Sequence, residues 1–203
     1  MAERKNHWET VYLNKSPEQV SWTQEEPTVS LEMIKGLKLE KSAKIIDVGG
    51  GDSNLVDFLL EEGYENITVL DISTKALEKA QQRLGIEKAS KVKWIASDIV
   101  EFKPEEHYDL WHDRAAFHFL TTEEQINAYI KIAEEFADRY LVVGTFSDNG
   151  PKKCSGLEIT QYSEEEMANV FGEDFEKMYC IEHEHVTPFN TKQNFVFCSF
   201  MKK

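Results

Sequence analysis

The stretch Ile45-Ile46-Asp47-Val48-Gly49-Gly50-Gly51-Asp52-Ser53 decides the fold. A short apolar run ends in an acid, three glycines make a turn, and Ser53 opens a helical pattern. A second apolar run, Val69-Leu70, ends in Asp71, 20 residues beyond Gly51. Strand, glycine turn, helix, strand and acid in that order are the parts of a nucleoside-binding βαβ unit.

Working outward, strands and helices alternate. The first strand is read as Lys44–Val48, followed by a helix from Ser53 to about Glu62 with Gly63 as its C-cap. The second strand is Ile67–Asp71. Ser73 then caps a helix whose apolar face is Ala76, Leu77, Ala80 and Leu84, ended by Gly85. Val92–Ala96 and Tyr108–Trp111 are the third and fourth strands. Thr121 with Glu124 reads as a capping box for the next helix, and Tyr140–Phe146 is the fifth strand. A short helix from Ser163 to Phe171 precedes two β-prone runs, Phe175–Val186 and Asn194–Met201, joined by a turn at Pro188-Phe189-Asn190. Two strands with so short a connection pair antiparallel. The expectation is a single α/β domain: a doubly wound, Rossmann-like, seven-stranded sheet, mostly parallel, with a C-terminal antiparallel hairpin and helices on both faces.

Composition narrows the function. The 203 residues suit one domain with a substantial core. A formal net charge of -14 argues against general binding to nucleic acid or to an anionic membrane, both of which need clustered Lys and Arg. No apolar stretch approaches a membrane span, and Met1-Ala2-Glu3-Arg4-Lys5-Asn6 carries no signal-peptide core. Cys154, Cys180 and Cys198 show no paired spacing, so neither a disulfide nor a zinc site is expected, and a reducing cytoplasm follows. No metal site is expected elsewhere. His183 and His185 share a strand face, but Glu182 and Glu184 lie on the opposite one, and the strand reads as exposed and polar.

The register of the glycine turn selects the ligand. A dinucleotide fingerprint requires a third glycine where Asn54 stands, and Asp52 would repel a pyrophosphate at the helix N-terminus. An oxidoreductase using NAD or FAD is disfavoured on both counts. Meanwhile four consecutive predicted strands end in polar, mostly acidic residues, Asp47, Asp71, Asp98 (after Ala96-Ser97) and the pair His112-Asp113, which places a row of mostly acidic groups along one sheet edge.

The pattern Asp47-Val48-Gly49-Gly50-Gly51-Asp52-Ser53 resembles motif I of the class I S-adenosylmethionine-dependent methyltransferases, and the resemblance extends over about the whole chain. It implies three parts: an N-terminal helical flap over 1–40, a cofactor-binding core over 44–146, and a C-terminal helix and hairpin over 147–203. It implies a cofactor site made of Trp22, Asp47, Gly49, Gly50, Gly51, Ser53, Asp71, Ile72, Ser97, Asp98, Ile99 and Asp113. Asp71 would bind the ribose hydroxyls, Ile72 and Ile99 would flank the adenine, and Asp98 would accept from its amino group. The segment Trp111-His112-Asp113-Arg114-Ala115-Ala116-Phe117-His118 is similar to that of members acting on small molecules, including thiols and thiopurines. Trp8, Tyr12, Arg114, Phe117 and His118 are the implied acceptor-binding residues. For a hydroxyl or carbon nucleophile, His118 or His112 would serve as base, with Asp113 as a further catalytic candidate. Protein lysine methyltransferases are similar at His7-Trp8 and Tyr12 but differ at Arg114 and Ala115. The implied function is methyl transfer from S-adenosylmethionine, which becomes S-adenosylhomocysteine, to a small molecule. The alternatives are a protein lysine acceptor and a non-catalytic cofactor-binding protein.

Overall fold

The computed structural model describes residues 2–203. Helix α1 (Ala2–Asn14) and helix α2 (Thr28–Gly36) precede the first strand, with a 3-10 turn at Pro17–Gln19 between them. Then come β1 (Lys44–Val48), α3 (Leu55–Glu61), β2 (Asn66–Asp71), α4 (Thr74–Ala89), β3 (Val92–Ala96) and β4 (Tyr108–Arg114). The second half holds α5 (Glu123–Phe136), β5 (Ala137–Phe146), a two-residue hairpin β6 (Lys153–Cys154) and β7 (Leu157–Glu158), and α6 (Glu164–Phe171). It ends in β8 (Phe175–Val186) and β9 (Lys192–Lys202).

The main sheet has seven strands in the order β3-β2-β1-β4-β5-β9-β8. The five strands β3 to β5 are mutually parallel, while β9 runs antiparallel to both β5 and β8. Alternation along β1 sends Ile45 to one apolar layer and Ile46 to the other. Helices α2, α3 and α4 cover the first layer through Ile34, Leu59 and Leu77. Helices α5 and α6 cover the second through Tyr129, Ala133, Met167 and Phe171. The chain leaves β1 toward β2 on one side and returns at β4 on the other. The crevice beyond the carboxyl ends of β1 and β4 is therefore the sheet's switch point, where such folds bind ligands.

The expected fold is present, with several local corrections. Thr122, not Thr121, caps α5 by accepting from the Gln125 backbone N–H, while the Gln125 side chain returns to the Thr121 N–H. Helix α3 begins at Leu55, and Ser53 Oγ accepts the Leu55 N–H from just outside it. Gly85 interrupts α4 with φ 74° and ψ 164° rather than ending it, and a last turn follows to Ala89. Strand β4 continues past Trp111 to Arg114, which changes the faces assigned to the residues that follow. Cys180 and Cys198 stand opposite each other on β8 and β9 and form a disulfide, with Cα atoms 4.1 Å apart. This overturns the expectation of unpaired cysteines, and the argument for a reducing compartment loses that support. Two cysteines 18 residues apart become neighbours because the hairpin register pairs them. Among the described residues, no helix is long and apolar enough to cross a membrane.

Candidate active site

A cavity of about 1250 Å³ opens at the switch point, between the carboxyl edge of the sheet and the N-terminal helices. Its floor is the glycine turn. A Cβ on Gly49 would collide with the Cβ of Ala116, and one on Gly50 would lie 2.5 Å from Asp47 Oδ2. A Cβ on Gly51 would lie 2.7 Å from Asp71 Oδ2 and 3.1 Å from the Tyr12 hydroxyl. Gly49 and Gly51 also have positive φ, 69° and 41°, which L side chains rarely adopt. The turn thus needs glycine for backbone shape and for room.

Asp71 ends β2 with its side chain buried. Oδ1 accepts the Ser73 N–H at 2.7 Å. Burial pushes its carboxyl up to about 7, with Asp47 and Glu9 adding repulsion against the Ser73 bond. A carboxylate in this state gains from hydrogen-bond donors. Asp98 follows β3 and caps the next turn through the Val100 N–H. Its carboxylate is met by Arg4 of α1, whose Nη2 stands 2.6 Å from Oδ1. Ile72, Ser97 and Ile99 line the cavity beside these two acids. Asp52, expected to repel a phosphate, is instead neutralised by Arg83, which also reaches Asp57 at 2.8 Å.

Helix α1 closes one side. Glu9 caps α4 by accepting from the Thr74 N–H at 2.8 Å and the Lys75 N–H at 3.0 Å. Trp8 stacks edge-on against Trp22 at 5.6 Å and Phe119 at 5.0 Å, and Tyr12 meets Trp22 at 6.2 Å. All four rings line the cavity.

Strand β4 decides which of its polar residues can reach a ligand. Period-two alternation places Leu110, His112 and Arg114 on the face of α2, and Trp111 and Asp113 on the face of α5. His112 and Arg114 line the cavity; Asp113 does not. Asp113 is wholly buried, accepting from the Ala116 and Phe117 N–H groups and the Tyr129 hydroxyl at 3.0–3.1 Å. Burial raises it to about 6 against those bonds. Phe117 packs in the apolar layer against Tyr129 and Phe171. His118 is also fully buried, stacked on Phe146 at 4.5 Å, with neither ring nitrogen bonded. Burial, with the nearby Arg114 charge, lowers it to about 3. Asp113, Phe117 and His118 therefore stand behind the cavity wall and do not touch its contents. The sequence places the end of the fourth strand at Trp111; because β4 runs on to Arg114, period-two facing turns Asp113 away from the cavity. Gly51 also lies just behind the lining, between Asp71 and Tyr12.

Several lining residues went unremarked or were set aside in the sequence. Ser30 of α2 is buried against His112, and nothing in its local pattern distinguishes it. His183 and His185 share a face as expected, but that face looks inward, and His185 Nε2 meets the Ser21 carbonyl at 2.7 Å. Arg114 gives one N–H to the Trp22 carbonyl at 2.9 Å, lies over the Phe195 ring, and keeps Nε unpartnered. Burial lowers it to about 10, partly offset by Asp47.

Residues 45–136 match the family model described as Methyltransferase domain. Malonyl-[acyl-carrier protein] O-methyltransferase of Anoxybacillus flavithermus is 36% identical over 107 residues, covering 51% of this chain and 39% of that protein. The chain thus spans about two fifths of the length of this curated relative. A S-adenosylmethionine-dependent methyltransferase of Anabaena variabilis superimposes with a TM-score of 0.76 at 14% identity, covering 100% of this chain and 94% of the other. The 1,6-didemethyltoxoflavin-N1-methyltransferase of Burkholderia thailandensis, solved with S-adenosylhomocysteine, superimposes with a TM-score of 0.70 at 16% identity, covering 100% and 88%. The chain shares the Rossmann-like fold of these solved structures, and its residues 45–136 are similar to the methyltransferase-domain family.

Proposed function

We propose that this chain transfers the methyl group of S-adenosylmethionine to a small-molecule nucleophile. One observation carries the reading: the buried Asp71 carboxylate faces a glycine turn with no room for side chains, at the sheet's switch point. Two vicinal ribose hydroxyls supply the donors that this carboxylate lacks. Ile72 and Ile99 offer apolar contact to a purine, and Asp98 accepts from its amino group once Arg4 shares or yields the carboxylate. Bound there, the sulfonium supplies an electrophilic methyl. The chain's own task is to hold the nucleophile in line with it and exclude water. Trp8, Tyr12, Trp22 and Phe119 form the apolar wall for that purpose. Arg114, which also lines the cavity, orients the acceptor.

Size favours a small acceptor. Ligand pockets commonly hold about 300–1000 Å³. The cavity of about 1250 Å³ has room for the cofactor and a second small molecule together. The compared proteins name both an oxygen and a nitrogen acceptor, so they leave the accepting atom open.

Calorimetry with S-adenosylmethionine, S-adenosylhomocysteine and NAD tests the cofactor: binding to the first two and not to NAD is expected, and binding to NAD alone overturns the reading. Labelled methyl donor incubated with a fractionated cell extract tests the acceptor. Label in the metabolite fraction is expected. Label in protein would replace the small molecule with a protein side chain, and binding without any label would leave a non-catalytic cofactor-binding protein.

A further inference from the structure

We propose that Asp47, His112 and Ser30 form a proton relay that deprotonates a hydroxyl acceptor, which makes the acceptor an alcohol or phenol. The inference rests on the methyl-transfer reading and goes beyond it by naming the accepting group. His112 Nδ1 stands 2.7 Å from Asp47 Oδ1, and His112 Nε2 stands 2.9 Å from Ser30 Oγ. The three residues come from β4, β1 and α2, and each is at most 2% exposed. All three line the cavity. Asp47 and His112 meet because they are register partners on adjacent parallel strands, so their side chains share one face.

The chemistry of the three groups sets the direction of the chain. In the proposed relay Asp47 accepts from His112 Nδ1–H, which turns a bare Nε2 toward Ser30. The Ser30 hydroxyl then donates to Nε2, and its lone pairs are free to accept. Among the described residues Ser30 Oγ has no other hydrogen-bond partner. This is the arrangement in which an aligned acid and imidazole draw a proton through a hydroxyl. Asp47 Oδ2 lies against the glycine turn, 2.5 Å from where a Cβ on Gly50 would stand. Charged or titratable groups lining the same cavity include Arg114 on β4, Cys154 on β6 and His183, Glu184 and His185 on β8. Burial holds the Cys154 thiol up at about 12, and His185 is lowered by burial and by Arg114.

In the step proposed, the acceptor O–H gives its proton to Ser30 Oγ as the Ser30 proton passes to His112 Nε2. The acceptor oxygen uses its electron pair to bond the methyl carbon, and the carbon–sulfur pair returns to sulfur as a neutral thioether. His112 leaves the step as an imidazolium facing Asp47 and returns its proton to solvent. Ser30 is the catalytic residue, touching the acceptor; His112 and Asp47 are positioning residues that act through it. A carboxylate, a thiolate or a neutral amine attacks without such help, which is why the relay selects a hydroxyl.

The test has a structural and a chemical arm, both on the full chain. Nitrogen-15 NMR of the histidine-labelled protein, with His112 assigned by its loss in His112→Gln, is expected to show Nδ1 protonated and Nε2 bare. The opposite tautomer overturns the relay whether or not methyl transfer occurs. In the chemical arm, carbon-13 methyl donor is turned over with the metabolite fraction. The product methyl is expected to have the chemical shift of an ether; an ester, thioether or amine product overturns the relay. Ser30→Ala and His112→Gln are expected to slow transfer about 100-fold or more at neutral pH, with KM within a few fold. The loss is expected to shrink as pH rises and the acceptor ionises unaided. A loss equal at every pH marks a merely structural trio and also overturns the proposal. If the wild-type chain binds S-adenosylmethionine but labels nothing, the methyl-transfer reading fails and takes the relay's substrate with it.

Discussion

Arg4 and Asp98 form an ion pair across the mouth of the cavity, Nη2 to Oδ1 2.6 Å, joining the first helix to the end of β3. Their side chains are 19% and 7% exposed, so the pair is shielded from solvent. It holds α1 over the place where the adenine is proposed to lie. Arg4→Gln is expected to release this end of α1 and raise the dissociation rate of S-adenosylhomocysteine about tenfold, equivalent to about 1.4 kcal/mol. Stopped-flow displacement checks it; an unchanged rate would mean that α1 plays no part in retention.

Asp71 couples cofactor binding to stability. Its folded value of about 7 lies above the ordinary 3.8. The folded chain therefore holds a proton that the unfolded chain has already lost. Stability falls as pH rises through the window from about 4 to 7, and the penalty persists above it. Asp71→Asn keeps an oxygen for the Ser73 N–H and removes the charge. Without ligand, this variant is expected to melt higher than wild type at pH 8 and nearly the same at pH 4. Charged hydrogen bonds to both ribose hydroxyls, worth about 1.5–3 kcal/mol each, would be weakened, so S-adenosylmethionine affinity should fall at least about tenfold. Thermal melts at the two pH values and calorimetry measure the opposing effects.

Gly50→Ala tests the floor of the site. The new Cβ would stand 2.5 Å from Asp47 Oδ2 and 2.9 Å from Val69 Cγ1, both held by buried neighbours. Overpacking of this kind costs about 1–3 kcal/mol. Denaturant unfolding should show that loss, accompanied by a displaced His112 resonance, because Asp47 moves with it. A variant as stable as wild type would mean that the turn relaxes freely.

His118 is expected to be dispensable for chemistry. Buried without a partner for either nitrogen, it is neutral when folded, with a value near 3 against 6.5 when free. Unfolding lets it take up a proton below about 6.5, so its contribution to stability drains away as pH falls from there toward 3. His118→Phe keeps a flat ring against Phe146 and is expected to reduce that acid-side loss while leaving methyl transfer within a few fold. Loss of transfer, with the fold intact by circular dichroism, would return His118 to the active site.

Much of this architecture was legible because it rests on local rules. The run Ile45–Asp47, the glycines after it and the acids Asp71 and Asp98 sit at the spacings of a βαβ unit, and of these Asp47, Gly49, Gly50, Asp71 and Asp98 line the cavity. The strand-four residues were misread for a correspondingly local reason. Extending β4 from Trp111 to Arg114 exchanged Asp113 for His112 as the group facing the cavity. His183 and His185 were placed on one face correctly, but whether that face meets water or a cavity depends on what the hairpin packs against.

By itself the sequence determined the alternation of strands and helices, the glycine turn and the placing of Asp71 and Asp98 after their strands, since period, spacing and backbone freedom are properties of neighbouring residues. Only the tertiary structure decided which side chains share the cavity. Ser30 meets His112 across 82 residues, Arg4 meets Asp98 across 94, and Cys180 meets Cys198 through a hairpin register. Such pairings arise when packed layers bring separate elements together, and no periodicity in the chain encodes them.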